Sequence, residues 1–290
     1  MNQAKKIMLA SVCMTSGSDK EKNVRGAIEW VKTAAAKGAD WVLLPEVFTY
    51  IGPYDAIYAN GEVDNGPLVQ TLSKLARDLN IVLFAGSFGE RPGSSEKLSE
   101  SLEGRTGFKR VFNTSYVFGR DGKTIGKYRK THPFNLMDNE GKPLYCESDG
   151  FMSGDTLVTL DVEGYHVGLA ICYDLRFPRL FERLAKDQAL DVILLPSAFT
   201  TQTGMDHWEV LLRARAIEQQ AYVYASNQVG ESSPGKSCYG HSMIIDPWGY
   251  VLANTGGTQG IAMAEMSLER IAAVRGRLPA LKNRRPEVYE

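Results

Sequence analysis

The sequence has no long run of charge of one sign and no apolar segment long enough to cross a membrane. It contains 33 lysines and arginines against 34 aspartates and glutamates, so its formal net charge at pH 7 is −1. Nucleic acids and anionic lipids attract basic patches, which such a balance does not supply. The apolar part of the N-terminal segment is too short for a secretory signal, and no segment reaches the roughly 20 apolar residues of a membrane helix. We therefore expect a soluble, cytoplasmic protein with no nucleic-acid or membrane partner.

Cysteine is also scarce. The four cysteines, Cys13, Cys146, Cys172 and Cys238, are widely separated, with no C-x-x-C pair and no histidine at metal-ligand spacing. The sequence contains no GxGxxG fingerprint. We expect free thiols, no metal and no organic cofactor. For any one cysteine, the ordinary interpretation is a small buried hydrophobic residue.

Apolar residues recur with helical spacing in some segments and form short apolar runs in others. Helices are predicted over residues 19–37 and 67–80, and a first strand lies near the N-terminus. Further strands are predicted at 41–44, 81–88, 112–118, 123–128, 157–162, 165–171, 191–195, 222–227, 242–246 and 250–254. Strands that alternate with helices are typical of a layered α/β architecture.

The remaining helices and one insertion are placed by local signals. A helix is predicted to begin near Pro178, and a long one near His207, where Asp206 and Glu209 resemble a capping pair. Residues 89–110, rich in glycine, serine and charge, are predicted to be a surface insertion. No linker separates two independent domains.

The fragments LLPEVF (43–48) and LLPSAF (194–199) look like counterparts in two halves with a similar order of elements, although six residues are weak evidence for a repeat. We expect one domain over residues 1–290, built from two similar halves.

Three residues capable of catalysis follow predicted strands. Glu46 and Cys172 each come just past the end of a buried strand, where ligand sites of α/β sheets gather, and Lys130 follows the strand at 123–128. Taken singly, each has an ordinary interpretation as a solvated carboxylate, a surface cation or a packed thiol. Their combination is what points to catalysis.

The segments around these residues resemble the nitrilase (carbon–nitrogen hydrolase) superfamily, whose catalytic set is glutamate, lysine and cysteine. LLPEVF resembles the segment with the glutamate, KYRKTH (127–132) the one with the lysine, and GLAICYDLRFP (168–178) the one with the cysteine. The resemblance continues through AGSF, FNTS, HWEVLLRARAIEQQAYV and GHSMIIDPWG and covers nearly the whole chain. It implies a four-layer αββα sandwich.

The resemblance also implies catalytic roles. Glu46 would act as general base for Cys172, since a free thiol is mostly protonated at neutral pH. Lys130 and the backbone N–H of Tyr173 would stabilise the tetrahedral oxyanion. Glu147 matches a second glutamate that many members place near the lysine, with a solvated loop carboxylate as the alternative.

The substrate pocket is less defined by the sequence. Arg176 is either a structural ion-pair partner or a ligand for a substrate carboxylate. Phe199 and Thr200, with the predicted loop 200–205, are expected to line the acyl pocket. His241, a conceivable papain-like partner for Cys172, is discounted because the family supplies Glu46 for that role.

Nitrilases proper usually place Trp and Glu after the cysteine, whereas this chain has Tyr173 and Asp174, which favours an amidase. The resemblance is to the Nit1/Nit2-like branch, and it implies hydrolysis of a small amide with water as co-substrate, through a thioester and with release of ammonia. Deaminated glutathione amidase is favoured. The alternatives are an ω-amidase acting on α-ketoglutaramate-type monoamides, an N-carbamoyl amidohydrolase and a non-catalytic scaffold. The resemblance further implies a homodimer or larger homo-oligomer, with residues 278–290 a candidate for intersubunit contact.

Overall fold

Two β-sheets, each with three neighbouring parallel strands, organise the computed structural model, which describes residues 6–233 and 235–289. The strands in these residues are β1 (Ile7–Cys13), β2 (Trp41–Leu43), β3 (Val82–Phe84), β4 (Phe88–Glu90), β5 (Val111–Phe118), β6 (Thr124–Arg129), β7 (Asn135–Met137), β8 (Pro143–Cys146), β9 (Phe151–Met152), β10 (Thr159–Val162), β11 (Tyr165–Leu169), β12 (Val192–Ser197), β13 (Tyr222–Asn227), β14 (Val229–Ser233), β15 (Lys236–Tyr239), β16 (Met243–Ile245), β17 (Val251–Asn254) and β18 (Gly260–Met266). The α-helices are α1 (Lys20–Ala36), α2 (Ile57–Asn60), α3 (Pro67–Leu79), α4 (Pro178–Leu184), α5 (Thr201–Gln219), α6 (Leu268–Arg277) and α7 (Pro286–Tyr289).

The first sheet has the order β18-β1-β2-β3-β5-β4, with β6 and β9 also paired to β5. One face is covered by α1 and α3, whose apolar sides form a core with β1, β2 and β3. Local signals set the bounds of both helices. Asp19 accepts a hydrogen bond from Lys22 N–H at 2.9 Å and caps α1, while Pro67 opens α3 and Asn80, in the left-handed region, ends it.

The second sheet has the order β10-β11-β12-β13-β16-β17 and packs against the free face of the first. Tyr224 on β13 crosses between the sheets, and its hydroxyl donates to Ala10 O at 2.6 Å and contacts Trp41 O at 3.1 Å. Helices α4 and α5 cover the outer face. The layers are therefore helix, sheet, sheet and helix, which confirms the predicted αββα sandwich.

The long helix α5 begins at Thr201, so the prediction of a start near His207 was wrong. Asp206 and Glu209 lie inside the helix and are not its cap. The first turn contains threonine and glycine, which are weak helix formers, so the sequence did not indicate that this turn is helical. Packing against β15 holds this first turn in place. A Cβ on Gly204 would lie 2.4 Å from Tyr239 Cβ, so the helix approaches β15 closely only because this residue is glycine.

The strand predicted at 81–88 is two strands, β3 and β4, separated by a turn at Gly86. Gly86 has φ +47°, and a Cβ there would lie 2.1 Å from Pro45 O. The turn thus lets the chain pass directly beneath the segment that carries Glu46. Residues 93–109 are largely exposed, as predicted for an insertion, whereas Gly89 and Glu90 belong to β4.

Sequence reasoning missed the strands β7, β8, β9, β14, β15 and β18 and the helices α2, α6 and α7. Four of these strands form two small hairpins outside the main sheets, β7 with β8 and β14 with β15. None of the helices in the described part of the chain combines the length and apolarity needed to cross a membrane.

Candidate active site

Cys172 lies where the second sheet ends. Strand β11 stops at Leu169, and after two buried residues Cys172 begins a short 3₁₀-helix, Cys172–Arg176. Its φ of +46° is a left-handed conformation that non-glycine residues seldom adopt, and such strain costs about 1–3 kcal/mol. This conformation turns the chain sharply at the thiol and places the backbone N–H of Tyr173 in the first turn of the helix, where N–H groups have no intrahelical acceptor.

Asp174 holds this turn together. Its buried carboxylate accepts hydrogen bonds from Ile171 N–H at 2.9 Å and from the Tyr128 hydroxyl at 2.7 Å. It also accepts from His132 N–H at 3.2 Å and lies 2.7 Å from His132 Nδ1. Because Tyr128 and His132 flank Lys130 in sequence, Asp174 joins the cysteine turn to the lysine segment.

Glu46 follows β2, and both of its carboxylate oxygens are hydrogen-bonded. Oε1 accepts from Lys130 Nζ at 2.8 Å and from Asn113 Nδ2 at 2.8 Å. Oε2 accepts from the backbone N–H of Ala198 at 2.7 Å, and that N–H also faces the Cys172 sulfur. Gln228 Nε2 donates to Glu46 O at 3.0 Å and fixes the backbone. The fragments LLPEVF and LLPSAF therefore meet at the site.

Glu147 also binds Lys130 and lies in a one-turn 3₁₀-helix, Glu147–Asp149. Its Oε2 accepts from Lys130 Nζ at 2.7 Å and from Phe134 N–H, and its Oε1 accepts from Asn113 Nδ2 at 3.0 Å. Asn113 thus donates to both glutamates, while its own Oδ1 is buried with no hydrogen-bond partner in the described residues.

Burial and neighbouring charges determine the protonation of this cluster. Burial opposes the charge of Lys130, but Glu147 and Glu46 outweigh it and raise the lysine pKa well above its usual value. Burial raises the pKa of Glu147, and Lys130 opposes that rise. Burial and then the charge of Glu46 raise the pKa of Cys172 well above the usual value of a thiol. The Cys172 thiol is therefore protonated at rest and needs a base.

These side chains open onto a cavity of about 480 Å³. Its wall carries Glu46, Lys130, Glu147 and Cys172, the aromatic rings of Phe134 and Tyr145, and the start of α5 from Thr200 to Gln202. The β14–β15 hairpin also lines the cavity and contributes Cys238 and Lys236, whose ammonium lies 5.3 Å from the centroid of the Tyr145 ring.

A small cleft adjoins the cavity at Cys172 and is lined by Tyr173, Arg176 and Phe199. The Arg176 guanidinium lies 5.2 Å from the Phe199 ring centroid and 3.3 Å from His207 Nδ1, and within the described residues it forms no ion pair with a carboxylate. Among the described residues, no carboxylate therefore serves as a structural ion-pair partner for Arg176.

The eight predicted site residues thus border either the cavity or the cleft beside Cys172. His241 lies elsewhere, stacked on Tyr239 with ring centroids 4.2 Å apart. Sequence reasoning missed Asn113, although it lies in the quoted FNTS segment, and gave Asp174 no role. The Ala198 N–H could not be found from residue type because it is a backbone group. Within the described residues, no group of three or more His, Cys, Asp or Glu side chains is arranged to hold a metal ion.

Comparison with known proteins shows similarity to carbon-nitrogen hydrolases in both sequence and fold. The chain matches the carbon-nitrogen hydrolase family over residues 8–276. It is 37% identical over 287 residues to human deaminated glutathione amidase, covering 97% of this chain and 83% of that protein. It is 34% identical to human omega-amidase NIT2, covering 97% and 96% of the two chains. The crystal structure of the C. elegans NitFhit protein superposes with a TM-score of 0.86 at 34% identity, covering 100% of this chain and 67% of that one.

Proposed function

The chain belongs to the carbon–nitrogen hydrolase family, and we propose that it hydrolyses the amide bond of a small carboxylate-bearing substrate through a thioester on Cys172. The observation that carries this proposal is the buried hydrogen-bonded set Glu46, Lys130 and Glu147, which shares a cavity with the cysteine. A buried cation held between two carboxylates is costly to desolvate and is typical of a functional site.

Acylation begins with proton transfer. Because the resting thiol is neutral, Glu46 takes the Sγ proton as sulfur attacks the amide carbon, and the carbonyl becomes a tetrahedral oxyanion. Glu46 then returns the proton to the amide nitrogen, the C–N bond breaks, and the amine or ammonia leaves. The product of this step is a thioester on Cys172.

The oxyanion is stabilised by two fixed donors. Lys130 stays protonated between its two carboxylates, and the Tyr173 N–H lies at the start of the 3₁₀-helix directly after the nucleophile. One preorganised donor is worth about 3–4 kcal/mol of barrier in other acyl-transfer enzymes. Glu147 also binds the Lys130 ammonium and helps to position the substrate.

Deacylation uses the same base. Glu46 removes a proton from water as the water oxygen attacks the thioester carbon. Collapse of the second tetrahedral intermediate breaks the C–S bond, and sulfur takes the proton back from Glu46. The acid product leaves, and the neutral thiol is restored.

For the substrate, we favour deaminated glutathione, because the human relative at 37% identity carries that name, with an ω-amidase activity on α-ketoglutaramate as the second candidate. The two amides share an α-ketoglutaryl group, so they would form the same thioester and differ only in the leaving group. The expected release of ammonia therefore applies to α-ketoglutaramate, whereas deaminated glutathione would release cysteinylglycine. Arg176 and Lys236, which lack ion-pair partners in the described residues, supply positive charge for substrate carboxylates.

The test measures ammonia and primary amine separately during turnover of deaminated glutathione, α-ketoglutaramate and an N-carbamoyl amino acid. We expect amine release from the first compound and no turnover by Cys172→Ala. Cys238→Ala is the matched control, since Cys238 lines the same cavity, and it should keep activity. Release of carbon dioxide with ammonia would identify a carbamoyl hydrolase. Silence on all three amides would favour the scaffold alternative, and equal rates in parent and Cys172→Ala would exclude the thioester.

We propose further that residues 1–290 form one cytoplasmic domain that assembles into a homodimer or larger homo-oligomer. Val210 and Ile217, two turns apart on α5, leave 67% and 50% of their surface exposed, which supports association through a helical face. Light scattering at several concentrations tests the assembly, and a monomer throughout would exclude it. Cell fractionation tests the location.

A further inference from the structure

Residues 91–110, here called the outer segment, lie outside the cavity and are mostly exposed. Although the proposed reaction does not use them, they contact two elements that carry cavity residues. One is the 3₁₀-turn Glu147–Asp149, and the other is the end of β6, which leads into Lys130.

Arg110 makes the central contact with the Glu147 turn. Its side chain is only 9% exposed. The guanidinium donates to Ser148 O at 3.2 Å, to Glu100 Oε2 at 2.9 Å and to Ser101 O. Because Ser148 directly follows Glu147, this hydrogen bond fixes the backbone next to the glutamate.

A second arginine binds the same turn. Arg105 forms a two-pronged ion pair with Asp149, at 2.9 Å from Nε to Oδ1 and 3.2 Å from Nη2 to Oδ2. The approach is close enough that a Cβ on Gly104 would lie 2.6 Å from Asp149 O. Glu100 also accepts from Ser153 N–H at 3.3 Å, just beyond the turn.

The outer segment also reaches the lysine strand. Glu96 accepts from Arg129 Nη2 at 3.1 Å, and Arg129 donates in turn to the buried Glu90, with its Nη2 at 2.8 Å. Arg129 is the residue before Lys130. The outer segment therefore contacts the residue before Lys130 and the residue after Glu147, and it does so from outside the cavity.

We propose that Arg110 is a positioning residue that sets the place of Glu147 against Lys130, with Arg105 as its accessory; this inference rests on the proposed function. Glu147 is bound from inside by Lys130, Asn113 and Phe134 N–H, and its turn is bound from outside by the outer segment. A planar guanidinium serves several acceptors in one plane, which an ammonium cannot reproduce, so Arg110→Lys keeps the charge and loses the geometry.

The first experiment compares Arg110→Lys and Arg105→Ala with Arg120→Lys. Arg120 is a matched control because it also binds carboxylates and a carbonyl, namely Glu163, Asp40 and Asn80 O, at the opposite end of β6 from Lys130. We expect kcat to fall about 10- to 100-fold in Arg110→Lys and less in Arg105→Ala, since a small misplacement of a catalytic group has effects of that size. Arg120→Lys should lower the melting temperature alone.

The second experiment needs no substrate. The titratable groups that face Glu147 are Lys130, Glu46, Cys172, Tyr54 and Tyr145. If Arg110→Lys lets Glu147 move away from Lys130 while the carboxyl stays buried, the carboxyl loses its stabilising cation, and its pKa rises in a ¹³C NMR titration assigned with Glu147→Gln. The acid limb of kcat/KM moves to higher pH in the same direction.

An unchanged Glu147 titration together with parental kcat in Arg110→Lys would overturn the positioning role. If Arg110→Lys does not fold, Arg105→Ala and Asp149→Asn decide by the same two measurements. A parent protein without amidase activity would remove the proposed function, while the NMR titration would still decide whether Arg110 positions Glu147.

Discussion

Lys130 Nζ lies 2.8 Å from Glu46 Oε1, and this buried contact joins residues 84 positions apart in the sequence. It links Lys130, which follows β6, to Glu46, which follows β2. The cation and the base are therefore held together in the cavity that contains the cysteine. The charge of Glu46 also opposes ionisation of Cys172. In the proposed mechanism, the thiolate therefore forms only as the sulfur attacks the substrate.

The resting thiol should react slowly with a neutral disulfide reagent. The raised pKa of Cys172 lowers its thiolate fraction at pH 7 below that of a free thiol near pKa 8.5. The rate at Cys172, obtained by subtracting Cys172→Ala, should be below that of a free cysteine at pH 7 and should increase beyond pH 9. Rapid modification at pH 6–7 would instead indicate a preformed thiolate.

Asn113→Leu should lower kcat strongly with a smaller effect on folding. The variant removes the amide that donates to both Glu46 and Glu147, and a buried acceptor that loses its donor costs about 1–3 kcal/mol. Asn23→Leu is a control matched for burial, since Asn23 donates to Gly17 O and Thr49 O. Both variants should lower the melting temperature, and only Asn113→Leu should reduce kcat by about 10-fold or more. Equal activities would show that Asn113 has a structural role alone.

The sequence predicted the layered fold because buried strands and amphipathic helices each leave a local pattern. Helix α1 is confirmed within one residue at each end, and Asp19, the first residue of the predicted range, is its N-cap. The first turn of α5 was missed because it depends on Gly204 packing against Tyr239, a contact between residues that are distant in sequence. The β14–β15 hairpin, rich in serine and charge, has too little apolar alternation to be read as strands.

In the candidate site too, residues with a local sequence signal were predicted, and groups that depend on contacts between distant residues were not. Glu46, Lys130 and Cys172 were found because they follow strands in segments that resemble a known family. Asn113 was missed because nothing in its residue type shows that one amide serves two glutamates. The contribution of Ala198 is a backbone N–H, which any residue other than proline would supply, so the sequence contains no signal for it.

Asp174→Asn should destabilise the protein and slow catalysis together. The carboxylate accepts from Ile171 N–H, the Tyr128 hydroxyl and His132 N–H, and an amide would turn a donor toward at least one of these donors. Combining it with Tyr128→Phe in a double-mutant cycle should give a coupling free energy of about 0.5–3 kcal/mol in chemical denaturation. Additive effects would show that Asp174 and Tyr128 have no coupling free energy, and that their contact does not stabilise the cysteine turn against the lysine segment.

Arg176→Ala should raise KM for acidic substrates and leave that of a neutral amide unchanged. The guanidinium borders the cleft beside Cys172 and has no carboxylate partner within the described residues, so a substrate carboxylate can take that place. Loss of a two-pronged charged contact costs about 1.5–3 kcal/mol, which corresponds to roughly a 10- to 150-fold increase in KM. Arg179→Ala is the control, because Arg179 is exposed on α4 only three residues away. Steady-state kinetics with α-ketoglutaramate and a neutral aliphatic amide make the comparison. An equal loss with both amides would mean that Arg176 supports the cleft through its contacts with Phe199 and His207 and does not bind the substrate carboxylate.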